Sequence, residues 1–148
     1  MLRLEPLGQR LPEVRSIFNH VFDKSENKYL ERYVFEDSIV GVDRRGVIQA
    51  FMLIRKYAHT HEVSYLGIMS RYQGKGYGAA LLKEAQAKYP SLRLIVGANN
   101  TRAIGLYTKL GFYKRKRDYV WQNCLAVESN PDSTKNGSER FIHLCKAI

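Results

Sequence analysis

The sequence predicts a single mixed α/β domain, residues 1–148, built on a mostly antiparallel sheet. Three observations predict it. The chain has 148 residues, the usual size of one domain with one core. Three strand-like runs follow one another between residues 38 and 69 with no helix-length segment between them. A strand, a glycine-rich turn and a helix then stand together at the centre of the chain, from Leu66 to Tyr89.

The elements follow in order. Residues 2–7 alternate weakly and read as a first strand. Pro12 suits the first turn of a helix, and Val14, Ile17, Phe18, Val21 and Phe22 continue it as one apolar stripe. Tyr29, Leu30, Tyr33 and Val34 suggest a second short helix within residues 23–37. Residues 38–42 form a strand, residues 43–46 a turn with Gly46 where positive φ is useful, and residues 47–57 a long returning strand. Residues 62–69 run as a fourth strand. Residues 76–89 are helical, with Tyr77, Leu81, Ala85 and Tyr89 on one face, and Pro90 stops them. Residues 92–96 read as a short apolar strand buried on both faces. Residues 100–110 form another amphipathic helix, capped by Gly111. Two strands, near 112–124 and 140–147, enclose a polar loop at 129–138. The count is seven strands and four helices.

Composition narrows the function. Lys and Arg total 24 against 14 acids, a formal charge of +10, so an anionic partner is expected: nucleic acid or a multiply phosphorylated cofactor. No apolar run approaches the roughly 18 residues of a membrane span. The N-terminal residues lack a signal-peptide core, so a soluble cytoplasmic protein, monomer or homodimer, is expected. Cys124 and Cys145 have no zinc-like spacing and read as reduced thiols. Their numbers are symmetric about the 129–138 loop, as for a cross-strand pair. The histidines are His20, His59, His61 and His143. His59 and His61 share a strand face, but no third ligand stands at a recognisable spacing, and no metal site is expected.

Gly74, Gly76 and Gly78 lie between a strand and a helix start, with Arg71 and Lys75 adding charge. Lacking Cβ atoms, such residues let backbone N–H groups approach a phosphate at the positive end of a helix dipole. A nucleotide P-loop needs G-x-x-x-x-G-K-[S/T], which is absent. A dinucleotide fingerprint can be forced on Gly74, Gly76 and Ala79. It fails because antiparallel strands precede it and no acid ends a strand about 20 residues onward.

Two strings decide the reading. Gln73-x-x-Gly76-x-Gly78 resembles the acetyl-CoA motif Q/R-x-x-G-x-G/A of the GNAT superfamily of N-acetyltransferases. Residues 100–112, from Asn100 through Ala103, Leu106 and Tyr107 to Gly111 and Phe112, resemble that family's N-x-x-A-x-x-L-Y-x-x-x-G-F signature. The element order fits the family over nearly the whole chain. The resemblance implies a GNAT fold: a central sheet of six to seven strands splayed between strands four and five, flanked by about four helices. It implies that backbone N–H groups from Gln73 through Gly74, Lys75, Gly76 and Tyr77 to Gly78 hold the pyrophosphate of acetyl-CoA. Ile68, Met69 and Ser70 would meet the pantetheine arm, with the Ile68 N–H polarising the acetyl carbonyl. Asn100 and Ala103 would meet the arm where the strands part. Tyr107 would be the general acid for the departing thiolate; Ser70 replaces the proline often found at its position.

A primary amine with a pKa of about 10.4 is neutral in roughly one molecule in 2,500 at pH 7, a cost near 4.6 kcal/mol, so its proton needs an acceptor. Glu62 lies 11 residues before Gln73, the offset of the catalytic glutamate in the histone-acetyltransferase branch. It shares strand parity with Ser64, Leu66 and Ile68, while His61 points to the other face. Other branches put their acid where this chain has Ser64. Glu62 therefore reads either as the base or as a surface strand-end carboxylate.

In this superfamily the acceptor lies over the first two helices. That region here, residues 23–43, holds Asp23, Glu26, Glu31, Glu36, Asp37 and Asp43, six of the 14 acids. Glu26, Glu31 and Asp37 are the expected contacts of a small cationic amine such as a polyamine. Lys24, Lys28, Arg32, Arg44 and Arg45 are interleaved and could instead pair with these acids. A protein lysine or N-terminal amine is the alternative acceptor. The rival class is a basic nucleic-acid- or ribosome-binding protein: Lys114, Arg115, Lys116 and Arg117, flanked by Tyr113 and Tyr119, form a basic run that also resembles a nuclear-localisation signal. A domain that binds the coenzyme without transferring the acetyl group is a third reading, and Tyr107 argues against it.

Overall fold

The computed structural model describes residues 1–57, 60–97, 101–115, 118–121 and 141–147. His59, Asn100, Lys116, Arg117, Cys124 and the 129–138 loop lie outside the described residues. The chain forms two compact units. One comprises Met1–Arg55 with Ser64–Leu81, the other Lys56–Val63 with Leu82–Ile148.

In the first unit, β1 (Arg3–Pro6), β2 (Ile39–Val42), β3 (Ile48–Tyr57) and β4 (Thr60–Ile68) are hydrogen-bonded neighbours in that order. β1 pairs antiparallel with β2, and β2 antiparallel with β3. Helix α1 (Leu11–Phe18) carries Pro at its start and buries Val14 and Phe18 completely. It ends earlier than the apolar stripe predicts, the chain tightening there to i→i−3 bonds from His20 N–H to the Ile17 carbonyl and from Val21 N–H to the Phe18 carbonyl, at 3.0 and 3.1 Å. The Asn19 amide then exchanges two hydrogen bonds with Asn27, at 2.9 and 3.0 Å. A 3-10 turn (Lys24–Glu26) leads into α2 (Asn27–Arg32), which buries only Leu30. Val14, Phe18, Leu30, Phe35, Val40, Phe51 and Leu53 make one core, so truncating Phe18 to Ala costs about 3–5 kcal/mol. Gly67 of β4 packs flat on this core. A Cβ there would lie 2.8 Å from Phe51 Cε2, so the glycine admits the ring.

The turn between β2 and β3 is closed by one carboxylate. Asp43 accepts from the N–H groups of Arg45 (2.9 Å) and Val47 (3.0 Å) and from the Gln49 amide (2.9 Å). These bonds, the Gln49 one foremost, hold its carboxyl below the ordinary aspartate range. Gly46 takes φ +82 as expected of that turn.

In the second unit the order is β4, β5 (Ser91–Gly97), β8 (Phe141–Ala147), β7 (Asp118–Trp121) and β6 (Phe112–Arg115). β4 and β5 are parallel over a register from His61–Leu92 to Val63–Leu94. β4 runs on to Ile68 and β5 to Gly97. Helix α3 (Tyr77–Lys88) buries Leu81, Leu82 and Ala85, and Tyr89 stacks on His61 at 4.1 Å. Helix α4 (Thr101–Lys109) ends at Gly111, φ +95, and Gln86 of α3 donates to the freed Leu110 carbonyl at 2.8 Å.

Three expectations are corrected here. The strand expected at 112–124 is two strands, β6 and β7, paired antiparallel from Phe112–Trp121 to Arg115–Asp118, so eight strands are described. β7 and β8 are parallel, Asp118 beside His143, where the sequence order suggests a hairpin; Cys124, and with it the cross-strand placing of the two cysteines, lies outside the described residues. The fifth strand is not apolar throughout: it buries Arg93 to 2% exposure.

Candidate active site

The end of β4 and the turn after it form a row of main-chain donors. Met69 N–H donates to the Gln49 carbonyl of β3 at 2.9 Å. Successive N–H groups of an extended chain point to opposite edges, so those of Ile68 and Ser70 face away from β3. A 3-10 turn (Ser70–Tyr72) follows, and the Gln73 amide side chain donates back to the Ile68 carbonyl at 2.8 Å. Gly74 and Gly76 take φ +75 and +87, left-handed values that glycine adopts without strain. The first helical hydrogen bond after them is Ala80 N–H to the Gly76 carbonyl, 3.0 Å. The N–H groups of residues 74–79 donate to no acceptor among the described residues. Six donors beside one helix start make an anion cradle. The expected span began one residue earlier, but Gln73 N–H is taken by the Ser70 carbonyl at 3.2 Å.

The side chains around the cradle are placed by aromatic contacts. Tyr77 accepts from Leu2 N–H at 3.1 Å and meets Tyr72 edge-on at 6.0 Å. Its hydroxyl therefore pins the first strand, while its N–H belongs to the cradle. The Lys75 ammonium stands 5.8 Å and the Arg71 guanidinium 5.6 Å from the Tyr72 ring centre.

In the second unit Glu62 is 3% exposed, so the reading of it as a surface strand-end carboxylate falls. Its register partner on β5 is Arg93, itself 2% exposed. Ala103 is half-buried on α4. Tyr107, on the same helix, meets the buried Phe112 edge-on at 5.9 Å. Burial pushes its phenol up to about 12, which keeps it protonated across the working range of any enzyme near neutrality.

The acids of residues 23–43 hold different places in the fold. Asp43 closes its turn. Asp23 caps the first 3-10 turn by accepting from Ser25 N–H at 2.9 Å. Glu26 accepts from the Tyr65 hydroxyl at 2.6 Å. Tyr65 is held by rings of Phe18, Phe22 and Phe35 at 5.0–6.5 Å, and burial, then Glu26, raises its phenol well above the ordinary tyrosine range. Glu31 is exposed and lines a cavity of about 240 Å³ with Arg15 and Lys28. Asp37 is half-buried before β2. Among the described residues, no group of three or more His, Cys, Asp or Glu could hold a metal ion, and no helix is long and apolar enough to cross a membrane.

Residues 11–112 match the model of the acetyltransferase (GNAT) family. The chain belongs to that family. A GNAT chain of this architecture is similar to the ribosomal-protein-S18-alanine N-acetyltransferase of Escherichia coli, 25% identical, covering 100% of this chain and 94% of that one, TM-score 0.70. A GNAT acetyltransferase of Elizabethkingia anophelis with acetyl-CoA bound shares the fold at TM-score 0.73 and 18% identity, over 99% and 98% of the two chains. A mycothiol acetyltransferase of Jonesia denitrificans is 34% identical over 86 residues, 53% of this chain and 27% of that protein. The chain thus matches little more than a quarter of that relative's length. The mixed α/β fold expected from the sequence is the GNAT fold.

Sequence reasoning missed two contacts of the candidate residues. Arg93 opposite Glu62 was visible as a lone cation inside an apolar strand, which a buried strand accommodates only with a partner. The Tyr65–Glu26 bond joins residues 39 positions apart, and no spacing rule announces it.

Proposed function

We propose that this GNAT chain transfers the acetyl group of acetyl-CoA to a primary amine by direct attack in a ternary complex, in the cytoplasm. The observation that carries the reading is the row of six unengaged N–H groups at a left-handed glycine turn before α3. A diphosphate fits such a row, because every donor is main chain and no side chain crowds Gly74 or Gly76. When bound, the coenzyme supplies a thioester-activated acetyl group.

This chain's residues then divide the work. Residues 74–79 hold the diphosphate, with Lys75 adding charge. Ile68, Met69, Ser70, Asn100 and Ala103 align the pantetheine arm. The Ile68 N–H would donate to the acetyl oxygen, one donor worth about 3–4 kcal/mol where well aimed. The Tyr107 hydroxyl gives its proton to the departing sulfur. Glu62 Oε, directly or through a water, takes the proton of the attacking amine. Neither Cys124 nor Cys145 belongs to the coenzyme-lining segments, so no acetyl-cysteine is formed.

The favoured acceptor is a small cationic amine such as spermidine. The Tyr65 hydroxyl fixes the Glu26 carboxylate, which would receive a second ammonium group. A protein N-terminus is the second reading, favoured by the full-length similarity to the S18-alanine enzyme. An α-amine has a pKa of about 7.7–8.0, so its deprotonation at pH 7 costs only about 1 kcal/mol. The test is thiol release from acetyl-CoA with spermidine, N-acetyl-lysine amide and an alanine-initiated peptide. Amine-dependent release with the highest kcat/KM for spermidine is expected. A preference for the peptide selects the second reading, and no release with any amine overturns acetyl transfer.

A further inference from the structure

The turn between β2 and β3 and the 3-10 turn after β4 enclose a cavity of about 500 Å³ lined by Met1, Asp43, Arg44, Arg45, Arg71 and Tyr72. Its charge is unbalanced. Three guanidinium groups face one carboxylate, and that carboxylate already accepts three hydrogen bonds from its own turn. No ion pair engages Arg44, Arg45 or Arg71 among the described residues. Arg10, in the same unit, is saturated by Glu5 and Glu13 at 3.1 and 2.7 Å. Unpaired guanidinium groups gathered around one concavity repel each other and raise the local potential for an anion. Their planar forks match phosphate oxygens two at a time.

We propose that this cavity is a phosphate-monoester site, separate from the diphosphate cradle. Arg71 stands three residues before Gly74, a separation of at most about 11 Å along the chain. A ligand whose diphosphate lies on residues 74–79 can therefore place a further phosphate here, and the ribose 3′-phosphate of coenzyme A is such a group. That source rests on the acetyl-CoA reading given above; a separate phosphorylated ligand is the other source of the same chemistry. Arg71 and Lys75 both stand by the Tyr72 ring, at 5.6 and 5.8 Å from its centre, but only Arg71 lines the cavity.

Calorimetry on the full chain distinguishes the sources. The titrants are acetyl-CoA, acetyl-3′-dephospho-CoA and inorganic phosphate, against the parent, Arg45→Ala and Arg71→Ala. All three arginines are exposed, so the variants fold, which circular dichroism verifies. With the coenzyme as source, the parent binds acetyl-CoA at least tenfold tighter than the dephospho analogue. Arg45→Ala, which lies outside the cradle, narrows that gap to about twofold while keeping its affinity for the analogue, and Arg71→Ala narrows it as well. With a separate ligand as source, the gap is absent, and phosphate binds saturably in the millimolar range to the parent but to neither variant. An equal loss of both coenzymes in Arg71→Ala assigns that residue to the diphosphate and overturns the proposal. So does the absence of both the gap and arginine-dependent phosphate binding. Failure of the parent to bind either coenzyme defeats the acetyl-CoA reading instead, and the phosphate titration then judges the cavity alone.

Discussion

The glycine turn at residues 74–79, proposed to hold the coenzyme, and the acid-rich segment at residues 23–43, proposed to receive the acceptor, are built from different material. In the turn the working atoms are main-chain N–H groups, and the side chains matter through their absence. In the acid segment the working atoms are carboxylate oxygens, and the fold can draw each of them into its own contacts. Asp23 goes to a cap, Asp43 to a turn and Glu26 to Tyr65. A main-chain site leaves a compulsory mark in the sequence, because only glycine adopts φ near +80 at no cost. A side-chain site leaves only a composition.

The sharpest break of this contrast comes from a side chain whose single oxygen is irreplaceable. Tyr107→Phe keeps the ring against Phe112 and removes only the hydroxyl proposed as proton donor. A fall in kcat of about 10²–10⁴-fold is expected, with acetyl-CoA affinity in calorimetry within twofold of the parent. The pH profile adds a second reading. Burial raises this phenol from its ordinary value near 10 to about 12, so ionisation of Tyr107 removes no activity until the pH approaches 12. The same shift lowers fold stability between pH 10 and 12, where the unfolded chain ionises first. A limb in kcat falling below pH 10 in the parent, and lost in the variant, would show an unburied phenol.

The main-chain site breaks differently. Gly76→Ala meets no atom within 4 Å of the new Cβ, so its penalty is the left-handed backbone alone, about 1–2 kcal/mol of stability in urea. Gly76→Asp adds a carboxylate beside the diphosphate and should weaken acetyl-CoA binding by about 10²-fold. Equal, small losses in both variants would mean that the N–H row is not where the coenzyme binds.

The same contrast explains what was legible in the sequence. The glycine turn, the four helices and the first four strands announce themselves through periodicity and punctuation. The β6–β7 pair does not. No Gly, Pro, Asn or Ser stands between Phe112 and Asp118, so the basic run carries no mark of the turn that divides it. Arg93 stands among four aliphatic residues that outvote one cation; its burial opposite Glu62 depends on a register that only the fold supplies. The six acids at residues 23–43 were legible as a count, but their division among cap, turn and Tyr65 was not, since each partner comes from tertiary or turn geometry.

The smallest effect tests whether that division leaves an acceptor site behind. Tyr65→Phe retains the ring among Phe18, Phe22 and Phe35 and deletes only the hydroxyl that holds Glu26 at 2.6 Å. The freed carboxylate keeps its charge and loses its aim. If Glu26 holds the distal ammonium of the acceptor, KM for spermidine should rise about 3–10-fold with kcat within twofold, the pattern of lost uniform binding. Glu26→Gln should show the same split. Glu31→Ala should stay within twofold, because that exposed acid shares its cavity with Arg15 and Lys28. Salt separates charge from packing: raising ionic strength should shrink the difference between parent and Glu26→Gln. A Tyr65→Phe protein with unchanged KM for spermidine would make the Tyr65–Glu26 bond a purely structural clasp. The cationic acceptor would then lose its best-placed carboxylate, and the α-amine reading would stand in its place.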